Sequence, residues 1–295
     1  MRVRTSHGFS AFPLVMFLGI VAIALGYVLY GNYKKMESNA DRPEAVRVET
    51  RVVEVERQVP APEVPVAPAV SWMFDGEKWK ASAPPVACPA PLVLGSPVNV
   101  DLATKVLYPG QYRNDNYKPH GGFIFDGKKN TDIAVTAPLD ARLVLGSRYI
   151  EEGEVQYMLW FENPCGIAYR FDHLLTLSPS LKKLADSLPE PKLNDSRTTR
   201  FAEPLAIKAG EVIATSVGFE KINRVFVDFG VYDLRNANAP SQNKDFALKH
   251  KMEKEQAYYG VCWFDLFPAE VSRKVRALPP GSEGATSDYC KPLDK

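Results

Sequence analysis

The feature that most constrains this chain is an uninterrupted apolar run near its N-terminus. From Thr5 to Tyr33 the sequence contains no Asp, Glu, Lys or Arg, and its centre, Phe12 to Tyr30, is 19 residues of almost wholly apolar side chains. A helix of that length, rising about 1.5 Å per residue, spans roughly 28 Å, which matches the hydrocarbon core of a bilayer. We therefore predict a transmembrane helix over residues 12–31, preceded by a short N-terminal tail, residues 1–11.

A cleaved signal peptide is the alternative interpretation of this run. Such a peptide usually has a shorter apolar core followed by a small-x-small cleavage site. Here the run is followed by GNYKKMESNA, which offers only a weak site, so an uncleaved anchor is favoured. Arg2 and Arg4 before the segment balance Lys34 and Lys35 after it, so the positive-inside rule leaves the orientation open.

Residues 32–91 have the composition of a stalk followed by a proline-rich linker. Residues 36–58 mix charged with β-branched side chains, and residues 59–91 contain eight prolines, interrupted by SWMFDGEKWK. Prolines at this spacing favour an extended, semi-rigid chain. The globular body, including a C-terminal extension, is predicted to comprise residues 92–295.

The body is predicted to be mainly β with helical insertions. Strands are indicated by short runs rich in Val, Ile, Tyr and Phe, namely RLVLGSRYI, EVQYMLWFEN, CGIAYRFDHLLTL, EVIATSV and RVFVDFGVYDL. An Asp-Gly turn between two strands is predicted in FIFDGKKNTDIAV. Helices are predicted in SPSLKKLADSLP, ending before Pro189, and in the amphipathic stretch NKDFALKHKMEKEQAYY. A core strand is predicted in VCWFDLF, residues 261–267.

The four cysteines place the body outside the cytoplasm. Cys290 lies in a Gly- and Ser-rich tail, where a disulfide would fix the chain and a free thiol would have no packing role. We predict the pairs Cys262–Cys290 and Cys88–Cys165; the first closes about 28 residues and contributes roughly 3 kcal/mol. Four reduced thiols are the alternative. Because disulfides need an oxidising compartment, the N-terminus is predicted to be cytoplasmic and the body extracytoplasmic.

Charge and motif content exclude several function classes. The 36 Lys and Arg residues are balanced by 35 Asp and Glu residues, a net charge of +1, and no basic run is present, so no nucleic-acid partner is expected. The sequence lacks GxGxxG, P-loop and GxSxG motifs. Nucleotide chemistry and serine hydrolysis therefore have no support.

Two histidines lie in contexts that suggest a site. His120 precedes two glycines in YKPHGGFIFDG, so its imidazole is carried by a backbone that can turn sharply. His173 lies in YRFDHLLTL, near the end of a predicted strand.

The order of five segments resembles the M23 (lysostaphin/LytM-like) zinc metallopeptidases. The segments are PHGGFIFDG, DIAVTAPLDARLV (132–144), YRFDHL (169–174), IKAGEVIATSVG (207–218) and VFVDFGVYD (225–233). They cover roughly residues 117–235, about two-fifths of the chain. The resemblance implies an antiparallel β-sheet domain whose metal ligands come from an HxxxD segment and an HxH segment.

This chain departs from the family at the ligands themselves. Ile124 stands at the Asp position of HxxxD, and Phe226-Val227-Asp228 stands where the family has HxH. The surviving site implied by the resemblance is His120, Asp126 or Asp132, and Asp228 as zinc ligands, with His173 beside them as a catalytic residue. One His and two carboxylates can hold zinc with an open position for water.

Each of these candidates also has a structural interpretation. Six extended residues span roughly 20 Å, so His120 and Asp126 can share a metal only if the intervening glycines fold the chain back. Asp126-Gly127 is also an ordinary turn dipeptide. His173 and Asp228 can equally be satisfied by neighbouring charges, such as Asp172 for the histidine.

Three functions are compatible with this pattern. The first is a membrane-anchored cell-envelope protein whose degenerate M23-like domain, a pseudo-enzyme, binds cell-wall peptide or glycan, or a partner hydrolase, without cutting. The second is a zinc metalloendopeptidase with a remodelled ligand set. The third is a purely structural envelope module. Loss of both His residues of HxH favours the first.

Overall fold

The computed structural model describes residues 70–291, which contain fourteen short and long strands. In chain order these are β1 (Trp72–Phe74), β2 (Trp79–Ala81), β3 (Lys105–Leu107), β4 (Gln111–Arg113), β5 (Asn116–Lys118), β6 (Gly121–Ile124), β7 (Val135–Thr136), β8 (Ala141–Glu151), β9 (Glu154–Glu162), β10 (Ile167–Leu177), β11 (Lys192–Leu193), β12 (Thr199–Ile207), β13 (Val212–Val217) and β14 (Phe226–Asp233).

Helices in the same residues are short and lie between or after the strands. They are α1 (Pro179–Ala185), α2 (Lys244–Lys249), α3 (Lys254–Ala257) and α4 (Ala269–Ala277), with 3₁₀ turns at Val100–Leu102, Asn130–Asp132, Pro240–Gln242 and Trp263–Leu266. Between residues 70 and 291, none of these helices has the length and apolarity needed to cross a bilayer. The predicted transmembrane helix, residues 12–31, the tail before it and the stalk up to residue 69 lie outside the described residues.

Ten of the strands form one sheet. Its main path runs β11-β8-β9-β10-β14-β6-β3; β12 also pairs with β8, and β13 pairs with β10 and β7. Every pairing in this sheet is antiparallel except β11 with β8. Two hairpins, β1-β2 and β4-β5, lie apart from it. The mainly β fold with helical insertions is thus confirmed.

The central strands have two faces because side chains alternate along a strand. On one face their side chains form part of the main hydrophobic core. These side chains are Ile167, Tyr169 and Phe171 of β10 and Val227, Phe229 and Val231 of β14. Trp263 and Phe267 pack on the same core, with ring centroids 5.1 and 6.4 Å from Phe229. The opposite face carries alternating polar residues and a second, smaller apolar cluster.

The second cluster is covered by the β1-β2 hairpin. Trp79 stacks on Trp160 of β9, with centroids 5.9 Å apart and planes 9° apart. The backbone N–H of Trp72 donates to Glu162 at 3.2 Å. The described body therefore includes this hairpin, which lies N-terminal to the predicted start of the body at residue 92. SWMFDGEKWK is part of the body because its aromatic side chains have an apolar surface to bury.

Both predicted disulfides are confirmed. Cys88 pairs with Cys165, and Cys262 pairs with Cys290. Residues 70–291 contain no free cysteine, and all four cysteines of the sequence lie in this range. The disulfides suggest a secreted or extracytoplasmic domain.

Most of the predicted strands are confirmed, but the predicted Asp-Gly hairpin is wrong. The turn forms at Asp126-Gly127, yet β6 pairs with β14 and β3, whereas β7 pairs with β13. Gly121 and Gly122 allow β6 to lie this close to its neighbours, since a Cβ on Gly122 would collide with the carbonyl oxygen of Val227. The partners of β6 and β7 are therefore decided by long-range strand pairing and not by the turn between them.

Two further predictions differ in secondary structure. The predicted core strand 261–267 is buried as expected, but it contains a 3₁₀ turn that follows the disulfide at Cys262. The predicted amphipathic helix breaks into α2 and α3, because His250 is buried with its ring centroid 3.9 Å from that of Tyr117. Helix α1 is confirmed, although it ends at Ala185, before Pro189.

Candidate functional site

A groove of about 730 Å³ lies over the polar face of β10 and β14. Its floor is formed by His120, Tyr149, Arg170, Asp172, His173 and Asp228. A smaller cavity of about 210 Å³ shares His173 and Asp228 with this groove. A third, of about 240 Å³, shares His120 and Arg170. The structure therefore brings together three of the residues predicted from the sequence.

His120 and Asp228 form the centre of this floor. Asp228 pairs with Gly122 across β14 and β6, and His120 immediately precedes β6. The His120 Nε2 lies 3.0 Å from Asp228 Oδ2, and both side chains are about nine-tenths buried. At that distance a neutral imidazole donates from Nε2 to the carboxylate. The buried Nδ1 of His120 has no partner within the described residues.

His173 adopts a conformation that is unusual for its residue type. Its φ is +60°, in the left-handed region, and the register of β10 against β9 shifts between Phe171 and Leu174. The bulge turns the imidazole toward the groove, with Nε2 3.8 Å from Asp228 Oδ2 and Nδ1 3.8 Å from Glu151 Oε2. Strained residues of this kind cluster at functional sites.

Asp172 holds the bulge in place. Its Oδ1 accepts hydrogen bonds from the backbone N–H of His173 at 2.9 Å and from the Tyr149 hydroxyl at 2.7 Å. Its Oδ2 accepts from Arg170 Nη2 at 2.6 Å. Asp172 is therefore committed to positioning its neighbours, and the interpretation of His173 as a strand-end residue satisfied by Asp172 applies to its backbone, not to its ring.

The floor contains two carboxylates that face each other. Asp172 of β10 is directly opposite Asp228 of β14 in the sheet register, an arrangement of like charges that destabilises a strand pair. Two buried guanidinium groups offset the repulsion between these carboxylates. Arg170 pairs with Asp172, and Arg113, also buried, donates to the carbonyl oxygen of His120 at 3.1 Å. These four charges sum to zero.

Burial and these charges fix the protonation states. Burial, together with the charge of Arg170, lowers the pKa of His120 to about 3 despite the opposing effect of Asp228. Burial alone would raise the pKa of Asp228, but His120 and Arg113 hold it well below its usual range. At neutral pH the floor therefore holds a neutral His120 beside an ionised Asp228.

The remaining predicted ligands lie elsewhere. His120 precedes β6, whereas Asp126 follows it. Asp126 pairs with Lys105 at 2.8 Å and accepts from the Thr104 hydroxyl at 3.1 Å. Asp132 accepts from the backbone N–H of Lys129 at 2.8 Å and closes its own 3₁₀ turn. The Asp126 carboxylate thus joins the end of β6 to β3 and that of Asp132 serves its own turn, and neither lines the cavities that contain His120.

The donor set at the floor fits zinc poorly. Among residues 70–291 no cluster of three His, Cys, Asp or Glu side chains is arranged to hold a metal ion. Catalytic zinc sites use three protein ligands, whereas here His120 and Asp228 bond to each other and Ile124 offers no donor atom. Arg170, whose charge already disfavours protonation of His120, would also oppose a divalent cation.

Sequence reasoning missed part of the groove. Tyr149 and Arg170 of the floor were not singled out. Gln256 of α3, which also lines the groove, was missed as well, although it accepts from Arg170 Nη1 at 3.4 Å and from the Tyr232 hydroxyl at 3.2 Å. A signal existed for one pair: Arg170 and Asp172 are two residues apart in an apolar strand, so they share one face. Nothing local indicated Gln256, which reaches the floor from another part of the chain.

Comparison of the chain with family models, with curated proteins and with solved structures finds no match.

Proposed function

We propose that this chain is a single-pass, membrane-anchored envelope protein whose extracytoplasmic domain is a degenerate M23-like module. It binds cell-wall peptide or glycan, or a partner hydrolase, in the groove and does not cut it. The observation that carries the proposal is a His120–Asp228 pair beside two apolar residues, Ile124 at an implied ligand position and Phe226 at the implied catalytic position.

The strand register supports this interpretation. Ile124 is directly opposite Phe226 across β6 and β14, two pairs beyond Gly122 and Asp228 and on the same face of the sheet. These are the two positions at which the resemblance implies an Asp and a His. Both side chains line the cavity that His173 and Asp228 also line. The implied ligand position and the implied catalytic position are thus both apolar, as expected of a site that no longer performs hydrolysis.

The charge balance of the floor supports binding over hydrolysis. A hydrolytic zinc site has a cation that lowers the pKa of bound water and polarises the scissile carbonyl. Here Arg113 and Arg170 supply the positive charge, and both are already engaged with carboxylates or with a backbone carbonyl. A floor of this kind can donate and accept hydrogen bonds without activating water.

The first experiment is a metal analysis of residues 66–295, purified without added metal or chelator. We expect zinc well below one equivalent, because two converging donors are too few for a stable site. About one zinc per chain, lost in His120→Ala, would instead favour the metalloendopeptidase with a remodelled ligand set.

A restored site tests the resemblance itself. The double substitution Ile124→Asp and Phe226→His returns the implied ligand and the implied catalytic His, and the restored carboxylate should bring zinc binding to about one equivalent. The matched control is Ile124→Asn with Phe226→His, which keeps the shape but lacks the anionic ligand. Equal zinc content in the two variants would count against an M23-like ancestry of the site.

Binding is separated from a purely structural role by co-sedimentation with insoluble peptidoglycan. We expect the wild-type domain to sediment with it and His173→Asn to remain in solution, since Asn tolerates the left-handed backbone but lacks the ring. If both variants stay in solution, cell-wall binding is excluded, and capture of a purified hydrolase becomes the remaining test of a binding role.

A further inference from the structure

The groove continues into a second cavity along β8. That cavity has a volume of about 360 Å³ and shares Arg197 and Thr198 with the groove. Because side chains alternate along a strand, Ser147, Tyr149 and Glu151 lie on one face of β8. Ser147 lines the second cavity, whereas Tyr149 and Glu151 line the groove. We call the two cavities together the extended cleft; it follows β8 for roughly 13 Å.

Polar side chains line almost the whole of the extended cleft. Among the described residues that line it, only Met158 in the groove and Pro189 in the second cavity lack a side-chain nitrogen or oxygen atom. Pockets for drug-like ligands are lined mostly by apolar side chains, and the centre of a protein–protein interface is depleted of charged residues. The extended cleft therefore fits a ligand that presents hydrogen-bonding groups on every side.

The charged groups of the extended cleft nearly cancel. Apart from the histidines, five positive and six negative side chains line it, a net charge of −1. Arg197 donates to both carboxylate oxygens of Asp195, at 2.7 and 2.6 Å, and Arg148 donates to Glu190 at 3.0 Å. Pairs of this kind place hydrogen-bond donors beside acceptors without a strong field of either sign. A neutral ligand is therefore favoured over a polyanion or a polycation.

We propose that the extended cleft binds a neutral glycan chain, with successive sugar units in the groove and in the second cavity. The inference rests on the binding role of the proposed function and selects one of its ligands. Each sugar hydroxyl both donates and accepts, so adjacent hydroxyls match neighbouring guanidinium donors and carboxylate acceptors. The hydroxyls of Ser147, Thr198 and Thr199 line the second cavity as well. The cleft is longer than one sugar ring, so the ligand is a chain.

Arg197 and Thr198 lie where the two parts of the ligand would meet. Both residues are exposed and line both cavities. The Nε and Nη2 of Arg197 donate to Asp195, so within the described residues its Nη1 is available to a ligand. A chain that crosses this junction gains contacts on both sides of it, and a longer chain should therefore bind more tightly than a shorter one.

The test is isothermal titration calorimetry of the full chain in lipid nanodiscs with chito-oligosaccharides, which are neutral chains of N-acetylglucosamine. We expect the hexamer to bind about tenfold more tightly than the dimer, which fits in the groove alone. Thr199→Trp places a bulky side chain in the second cavity from an exposed position and should reduce the affinity of the hexamer to that of the dimer. Equal affinities for the two lengths in the wild type would overturn the proposal.

Removal of one hydroxyl at the junction is a finer test. Thr198→Val keeps the shape of the side chain and should weaken hexamer binding about two- to tenfold, as expected for one hydrogen bond. The matched control is Thr176→Val, at an exposed threonine of β10 that lines neither cavity, and it should leave the affinity unchanged. Equal effects of the two substitutions would contradict binding across the junction.

Failure of this inference and failure of cell-wall binding give different results. If the protein sediments with insoluble peptidoglycan but no chito-oligosaccharide binds or competes, the binding role stands and the glycan assignment is wrong, which leaves cell-wall peptide as the ligand. If the protein neither sediments with peptidoglycan nor binds the oligosaccharides, cell-wall binding fails together with the inference.

Discussion

The two faces of β10 and β14 are built from the same strands but obey different rules. On the core face, side chains from both strands pack against one another and against Trp263, and burial of apolar area is sufficient to hold them. On the groove face, Arg170, Asp172 and Asp228 are equally buried but depend on charge partners. One face tolerates any well-packed apolar set, whereas the other requires specific groups at specific places.

This difference shows how a sheet can carry a site without losing stability. The opposed carboxylates of Asp172 and Asp228 would separate the central strands if they were alone. Asp172 is compensated by Arg170, two residues away in the same strand. Asp228 is compensated by His120 and Arg113, which lie on other strands or loops. The groove face is therefore a closed network in which every member supports another.

The largest expected effects come from removing one member of each face. Phe171→Ala should lower the free energy of unfolding by about 3–5 kcal/mol through loss of packing. Arg170→Met should cost a similar amount, about 3–5 kcal/mol, because it leaves Asp172 buried beside Asp228 without its partner. Both values are obtained from denaturant unfolding.

Rescue distinguishes the two faces. Neutralising the orphaned carboxylate, in Arg170→Met with Asp172→Asn, should recover a substantial part of the loss, whereas Asp172→Asn should not rescue Phe171→Ala. A simple sum of the single effects in the first pair would contradict the network, since residues in one network are not additive.

The second effect is a pH dependence that only the groove face should show. His120 is neutral in the folded protein, with a pKa of about 3 against an ordinary value of 6.5. Between these values the unfolded chain binds a proton that the folded protein does not, so stability should fall as the pH is lowered from 6.5 toward 3. The full difference between the two pKa values corresponds to a loss on the order of 5 kcal/mol.

His120→Gln isolates this contribution, because a Gln amide can still donate to Asp228 but does not titrate. The pH profile of the variant should be flatter over the same range. Burial also lowers the pKa of His250, so some slope should remain; an unchanged slope would mean that His120 is protonated in the folded protein.

The smallest effect concerns the bulge at His173. His173→Val should be less stable than His173→Asn by about 1–2 kcal/mol, because a β-branched side chain is strained at a φ of +60° whereas Asn tolerates it. Thermal unfolding of the two variants measures the difference. Equal stabilities would indicate that the backbone relaxes out of the left-handed region and that the bulge is not held by Asp172.

The core face could be predicted from sequence because its signal is local. Alternating Val, Ile, Tyr and Phe placed β8, β9, β10, β13 and β14, and the even number of cysteines led to both disulfides. The pairing of β6 could not be predicted, since its Asp-Gly turn looks like that of any hairpin and only the close approach of Gly122 to β14 selects the partner.

Only part of the site could be predicted from the sequence, for the same reason. His120, His173 and Asp228 could be named because glycines and a family-like order marked them. Asp126 was named as an alternative ligand because it follows His120 by six residues, near the lost Asp position of HxxxD, but its contacts are with Thr104 and Lys105. Partners such as Gln256, which arrive from a distant helix, leave no trace in the local sequence.

The disulfide between Cys88 and Cys165 has a mechanical consequence. A pull applied at Val70 would first strip the β1-β2 hairpin from the sheet, because only noncovalent contacts hold it there. The unravelling would stop at Cys88, which is covalently fixed to the loop between β9 and β10. About eighteen residues would be released, some 60 Å of slack, before any load reached the strands that carry His173 and Asp228. Under such a pull, the hairpin would therefore unfold before the force could distort the groove.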